Sequence, residues 1–236
     1  QNFTSATDVY NTAVGHGAGA AVTQAKEDTL IGALAGVALT TGQENVAVGY
    51  AALNSDTKGN HSTALGHRAL VNQNFTTSTN THNVAVGFAA GASVTTGTDN
   101  TLIGAEAGDA LTTGSLNVAL GKKSLTADTK GNRSTALGRF ALGTQNFTTS
   151  TDTYNIAVGY SAGALLTVGL ENTLIGGLAG DALSDADFNI AIGTEALGSD
   201  TLGSKSVAIG NGALNAQNFT TATDTHNIAI GFHAGN

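Results

Sequence analysis

Apolar positions along this chain come in short clusters and trace no helical stripe. The string Asn45-Val46-Ala47-Val48-Gly49 is typical: one polar residue, three apolar ones, then glycine. Variants of it end at Gly15, Gly32, Gly49, Gly66, Gly87, Gly104, Gly121, Gly138, Gly159, Gly176, Gly193, Gly210 and Gly231. Successive spacings are 17, 17, 17 and 21 residues, an order that runs three times and sums to a super-repeat of 72. Positions are counted below from these landmark glycines. The residue at −3 is always β-branched, that at −1 is Val, Ile or Leu, and that at −2 is Ala except at Leu30, Leu102 and Leu174. Three residues of this kind closed by glycine suit a strand, because β-branching favours a pleated chain and no 3.6-residue apolar period is present. Thr-Thr-Gly strings such as Thr40-Thr41-Gly42 and Thr112-Thr113-Gly114 supply the return turns. The pattern predicts an all-β chain, a parallel β-solenoid or β-roll of 17-residue rungs with every fourth rung 21 residues long. Residues 1–236 form one repeat array of 13 rung units, in which each rung packs only on its neighbours.

Side chains alternate across a strand, so Val46 and Val48 face one way and Ala47 the other, with Leu30 taking the Ala47 place one rung earlier. Both faces are therefore apolar, as in strands covered on two sides. One face fills the coil; the other is expected to pack on something else. A stripe repeated on every rung is best buried by identical stripes on neighbouring copies, giving a symmetric bundle about the long axis. A monomeric solenoid with an alanine-rich outer wall is the simpler arrangement. At position −4 stand nine Asn, Asp28, and Ser62, Ser134 and Ser206. This column reads as a structural ladder, since stacked Asn side chains can hydrogen-bond along the stack.

Composition fits a thin coil. Of 236 residues, 32 are Gly and none is Pro, Cys, Met or Trp. Missing Pro suits stacked rungs in which nearly every N–H has a partner, and without Cys there is no disulfide framework. The hydrophobic share of 41% is too high for a disordered chain. The formal charge of −8 argues against nucleic acid, and no apolar run approaches the roughly 18 residues of a membrane span.

Asn-Val-Ala-Val-Gly, Ser-Thr-Ala-Leu-Gly, Asn-Ile-Ala-Ile-Gly and Ser206-Val207-Ala208-Ile209-Gly210 resemble the head repeats of trimeric autotransporter adhesins, the YadA-like β-roll, over essentially the whole chain. Similar repeats occur in phage tail-fibre-like proteins. The resemblance implies a left-handed β-roll, a homotrimer, an extended extracellular fibre on a cell surface or virion, and adhesion to host cells or matrix. The 17-residue period is longer than is usual in those heads, and one coil in four is expanded. Because residues 217–236 repeat the phase of residues 1–20, the chain is expected to be a segment of a longer fibre.

The expanded rungs carry Gln73-Asn74-Phe75-Thr76-Thr77 and its copies at Gln1, Gln145 and Gln217. At about 4.8 Å per rung these loops recur roughly every 19 Å. They are the candidate protruding contacts: Asn74, Phe75, Thr76 and Thr77, and Asn146, Phe147, Thr148 and Thr149. Asn and Thr beside an aromatic suit a receptor, a glycan or a neighbouring fibre. The unvaried Phe equally suits a ring tucked under its own loop. The loops contain Asn-Phe-Thr sequons at Asn2, Asn74, Asn146 and Asn218, with further sequons at Asn60 and Asn132. The last loop residue alternates Tyr10, His82, Tyr154, His226, which sequence alone does not explain. Thr at position +8 forms a row (Thr23, Thr40, Thr57, Thr95) that could order water at ice, though a ladder of turn threonines is the plainer reading. The histidines fall at differing positions, and no catalytic, metal or cofactor motif stands out; no cofactor is expected. These readings point to a structural and adhesive fibre segment, not an enzyme. A monomeric solenoid that binds ice or another regular surface and a self-assembling extracellular filament subunit are the alternatives.

Overall fold

The computed structural model describes residues 9–236, and among them there is no helix. The chain is a parallel β-solenoid of 13 turns at the spacing of the landmark glycines. The Gln1-Asn2-Phe3-Thr4 copy of the loop motif lies outside the described residues. Two compact units divide the chain, Gln1–Leu116 and Asn117–Asn236.

In the first unit the strands Thr12–Val14, Thr29–Ile31, Val46–Val48, Thr63–Leu65, Val84–Val86 and Thr101–Ile103 pair in chain order, all parallel. The register follows the repeat: Thr12 lies beside Thr29, Thr29 beside Val46, and Thr63 beside Val84 across the expanded coil. The four extra residues do not shift the sheet. They are taken up beside a small second pairing of Gly59–Asn60 with Thr79–Asn80. The second unit repeats the plan from Val118–Leu120 to Ile228–Ile230, with Gly131–Asn132 on Thr151–Asp152 and Gly203–Ser204 on Thr223–Asp224.

The landmark glycine is required by its backbone. Gly49 has φ +132°, a region L side chains rarely adopt, and a Cβ there would stand 2.5 Å from the carbonyl oxygen of Gly66 in the next coil. Strands can stack at sheet spacing only if this corner carries no side chain.

The inward strand face is the −2 column: Leu30, Ala47, Ala64, Ala85 and Leu102 are all fully buried. Its four-coil rhythm is matched elsewhere in the interior. Position +4 is Gly19, Gly36, Leu53, Leu70 and then Gly91, Gly108, Leu125, Leu142. Where Leu30 fills the centre, the glycines leave it room, since a Cβ at Gly19 or Gly36 would come within 2.8 Å of its methyls. Where −2 is Ala47 or Ala64, Leu53 and Leu70 supply the volume, and both are fully buried. Such complementary filling is what a close-packed interior demands. The 72-residue super-repeat is thus a packing period as well as a loop period.

The −4 ladder forms. The backbone N–H of Asn45 donates to Asp28 Oδ1 at 2.8 Å and that of Ser62 to Asn45 Oδ1 at 2.9 Å. Asn45 Nδ2 meanwhile donates to the carbonyl of Gly59, 14 residues on, at 3.0 Å. In the second unit Asn172 and Asn189 repeat both contacts. Buried amides are satisfied in this way from coil to coil.

Candidate interaction surfaces

The outward strand face consists of columns −3 and −1, which hold only Thr, Val, Ile and Leu and no charge. In the first unit Val46, Val48, Val84 and Val86 are half-buried and Ile31 is 38% exposed. In the second, Leu120, Ile156, Ile175 and Ile190 are exposed. The −1 column is aliphatic in every coil, whereas −3 alternates with Thr. Of the two apolar faces read from the sequence, the Ala/Leu face is the one inside. The β-branched face is the outward one and carries no charged side chain.

Columns −5 and +1 border this face, and their side chains stack along the coils. Every described residue at −5 has positive φ, including Glu44 (58°), His61 (60°) and His82 (49°), so each stands at a corner of its coil. There the His61 and His82 rings stack at 5.2 Å, His61 Nε2 lies 3.4 Å from Glu44, and His82 Nδ1 lies 3.4 Å from Asp99. In the second unit Arg133 lies over the Tyr154 ring at 5.8 Å and bonds Asp152 at 3.1 Å. At the loop end, His82 and Tyr154 thus each face the −5 side chain of the preceding coil, His61 and Arg133. Column +1 carries a second stack, Tyr50, His67 and Phe88, with centroids 5.3 and 5.2 Å apart. Arg139 over Tyr160 is its counterpart. The histidines scattered in sequence are therefore partly gathered in space. The signal was available, since His61 and His82 share position −5. Among the described residues no group of three or more His, Cys, Asp or Glu could hold a metal ion, and exposed pairs of this kind contribute little stability.

The expanded loops divide into anchor and display. Phe75 and Phe147 are buried, 7% and 6% exposed, so their rings are withdrawn from the contact surface that the loop composition suggested. Asn74, Thr76 and Thr77 face solvent, as do Asn146, Thr148 and Thr149. The anchor is polar as well as aromatic. Asp56 Oδ1 accepts from the backbone N–H groups of Gly59 (3.0 Å) and Phe75 (3.1 Å), and Oδ2 accepts from Gln73 Nε2 (2.6 Å). Gln73 also donates to the Ser62 hydroxyl at 2.7 Å and accepts from Asn83 Nδ2 at 2.9 Å. Ser62 and Thr81 hydroxyls lie 2.6 Å apart. Asp56, Gln73, Thr81 and Asn83 are fully buried. Gln73 explains why Ser replaces Asn in the fourth coil of the ladder: Gln73 Nε2 fills the space beside the shorter side chain. Asp128, Gln145, Ser134 and Asn155 rebuild the network in the second unit.

The +8 threonines turn toward the protein. Thr23 donates its hydroxyl to Thr40 O, Thr40 to Thr57 O at 2.9 Å, Thr95 to Thr112 O and Thr167 to Ser184 O. They form the turn ladder, with their protons committed to the next coil. No helix among the described residues is long and apolar enough to cross a membrane. No protein-family model, curated protein sequence or solved structure matches this chain.

Proposed function

We propose that the chain is a structural and adhesive fibre segment, in which copies associate side by side through the outward strand face and the expanded loops are presented to a surface or receptor. The observation that carries this reading is the −1 column: uncharged, aliphatic in every coil, and uncovered in an isolated chain. A repeated stripe of this kind is buried most simply by the same stripe on another copy, and closed symmetry about the axis exposes none of it. The resemblance to trimeric adhesin heads favours three copies and an extracellular place on a cell or virion. The committed hydroxyls of the +8 row leave ice binding without its water-ordering surface.

Sedimentation equilibrium of the purified chain tests the reading, with three times the 23.4 kDa chain mass expected. Val48→Asp and Ile103→Asp, placed on the −1 column, should return the mass to that of one chain. A stable monomer of the unaltered chain at micromolar concentration overturns the proposal.

A further inference from the structure

Comparing the loop copies within the chain isolates two residues whose retention packing does not explain. The copies read Gln-Asn-Phe-Thr-Ser/Thr-Ala/Ser-Thr-Asp/Asn, with Gln, Asn, Phe and the Thr at the fourth and seventh places unvaried. The seventh, Thr79, is used in the chain, pairing with Gly59 and donating to Thr77 O. Gln73 and Phe75 are buried anchors. Asn74 and Thr76 are exposed, as are Asn146 and Thr148, and Asn218 and Thr220. Each Asn Oδ1 lies near the hydroxyl of Thr57 (3.3 Å), Thr129 (3.1 Å) or Thr201 (3.3 Å), whose one proton is shared with the closer carbonyl of Phe75, Phe147 or Phe219 at 2.8 Å. The Asn Nδ2 donates to no protein atom among the described residues and stands at the surface. A carboxylate could accept that hydroxyl equally well, so the contact does not demand an amide. The exposed hydroxyl two residues on makes no bond among the described residues.

The remaining sequons behave differently. Asn60 Nδ2 is used twice, on Ser78 Oγ and Asn80 Oδ1 at 3.2 Å, and its Oδ1 takes the Gln43 N–H. Ser62, the hydroxyl residue of that sequon, is buried in the Gln73 network. Asn132 is engaged in the same way by Ser150 and Asp152. In the third copy the motif is absent, Ser204-Lys205-Ser206 taking its place. One sequon position is thus kept with its reactive atom free, and the other is occupied and not kept.

We propose that Asn74, Asn146 and Asn218 are N-glycosylation acceptors, modified at Nδ2 by a transferase that uses a phosphate-activated sugar. The amide nitrogen forms the bond to the anomeric carbon, and the C–O bond to the donor phosphate breaks. The phosphate leaves with that electron pair, and a base of the transferase takes the amide proton. The Thr at +2 is the second recognition element of the acceptor. Within the second unit the two glycans would sit four coils, roughly 19 Å, apart on the loop side. The proposal is independent of what covers the strand face.

The test is peptide mass mapping of the full chain isolated from the organism that makes it. Trypsin places Asn74, Asn146 and Asn218 in peptides 69–122, 140–205 and 206–236, and Asn60 and Asn132 in 59–68 and 131–133. Sugar mass is expected on the first three and absent from the last two. In the same organism Thr76→Ala should leave Asn74 bare with Asn146 still modified, and Thr76→Ser should restore the modification. Unmodified loop peptides, equal modification of Asn60 and Asn132, sugar on the threonines instead, or a glycan that survives Thr76→Ala would each overturn it.

Discussion

A regular coil such as residues 45–62 and the expanded coil 62–83 carry the same strand, the same landmark glycine and the same sheet register, yet they are held together differently. In the regular coil nearly every bond is a translation of the bond before it: strand to strand, Asn to Asn, Thr hydroxyl to the next carbonyl. Lost contacts there are local and their neighbours are interchangeable. The expanded coil has a buried centre, Asp56 with Gln73, which collects three backbone N–H groups, those of Lys58, Gly59 and Phe75, and bridges three coils. Repetition gives tolerance in the first case. In the second a protruding loop is secured chiefly at that point, with the Thr79–Asn80 pairing beside it, so the loop surface can vary while its base cannot.

The largest effect should come from removing that point. Asp56→Ala leaves the Gly59 and Phe75 N–H groups without their side-chain acceptor in a buried site and takes from the Gln73 amide one of its two acceptors, the Ser62 hydroxyl remaining. The expected loss is on the order of 5 kcal/mol, concentrated in residues 73–82. Hydrogen exchange resolved by peptide would show it: deprotection of the first unit's loop with the Thr12–Val14 strand region unchanged. Uniform deprotection, or none, would mean that the loop is not anchored there.

Gly49→Ala attacks the shared element instead. Positive φ and a Cβ against the Gly66 carbonyl should together cost about 4 kcal/mol, felt in the coils on either side. Made at Gly66, at the start of the expanded coil, the same change should cost as much, since the corner is identical in both. Unequal effects by thermal or chemical denaturation would show that the expanded coil relaxes its stacking.

How far this comparison could be read from the sequence depends on the element. Coil period, strand position, parallel register and the Asn ladder follow from the landmark glycines, because each is repeated and local chemistry fixes it. The paired Gly and Leu at +4 were also visible, but their meaning depends on Leu30 lying across the coil, a contact between positions that no linear period links. The role of Gln73 was hidden for a related reason. It looks like an ordinary polar loop residue, and only the folded chain brings it under Phe75 between Asp56 and Asn83. Phe75 and Asn74 differ by one position and by nearly everything in exposure, which alternation alone could not assign in an irregular loop.

Asp28 offers a smaller perturbation within the regular coils. It holds an Asn place in the ladder, but its Oδ2, standing where the other coils have a donating Nδ2, has no partner. Burial pushes its carboxyl from 3.8 up to about 7, against the lowering bonds from Asn45 and with a further push from the Glu44 carboxylate. The folded state thus holds a proton that the unfolded chain releases near pH 4. Stability contributed by the neutral acid is full below about pH 4, falls as pH rises to about 7, and is flat beyond. The fall should be on the order of 4 kcal/mol. Asp28→Asn should abolish this slope and be the more stable form at pH 8. An identical pH profile for the two proteins would remove Asp28 as the cause.

The finest distinction lies between two equivalent threonines. Thr40 donates its hydroxyl to the carbonyl of Thr57 at 2.9 Å, within regular coils. Thr57 donates to the carbonyl of Phe75 at 2.8 Å and contacts Asn74, at the root of the loop. Valine in either place keeps the shape and removes one net hydrogen bond, about 1 kcal/mol. The two losses should be equal in global stability and unequal in where they appear. Thr40→Val should quicken exchange only at the turn it joins, because the strand and ladder bonds on both sides persist. Thr57→Val should quicken exchange across residues 74–80, since with that bond gone the Phe75 backbone is held only through its N–H on Asp56, between the Asn74 bond to Thr95 and the Thr79–Asn80 pairing. Equal and local responses would mean that the buried network holds the expanded coil unaided, and that the hydroxyl row contributes nothing there beyond what it does in every other coil.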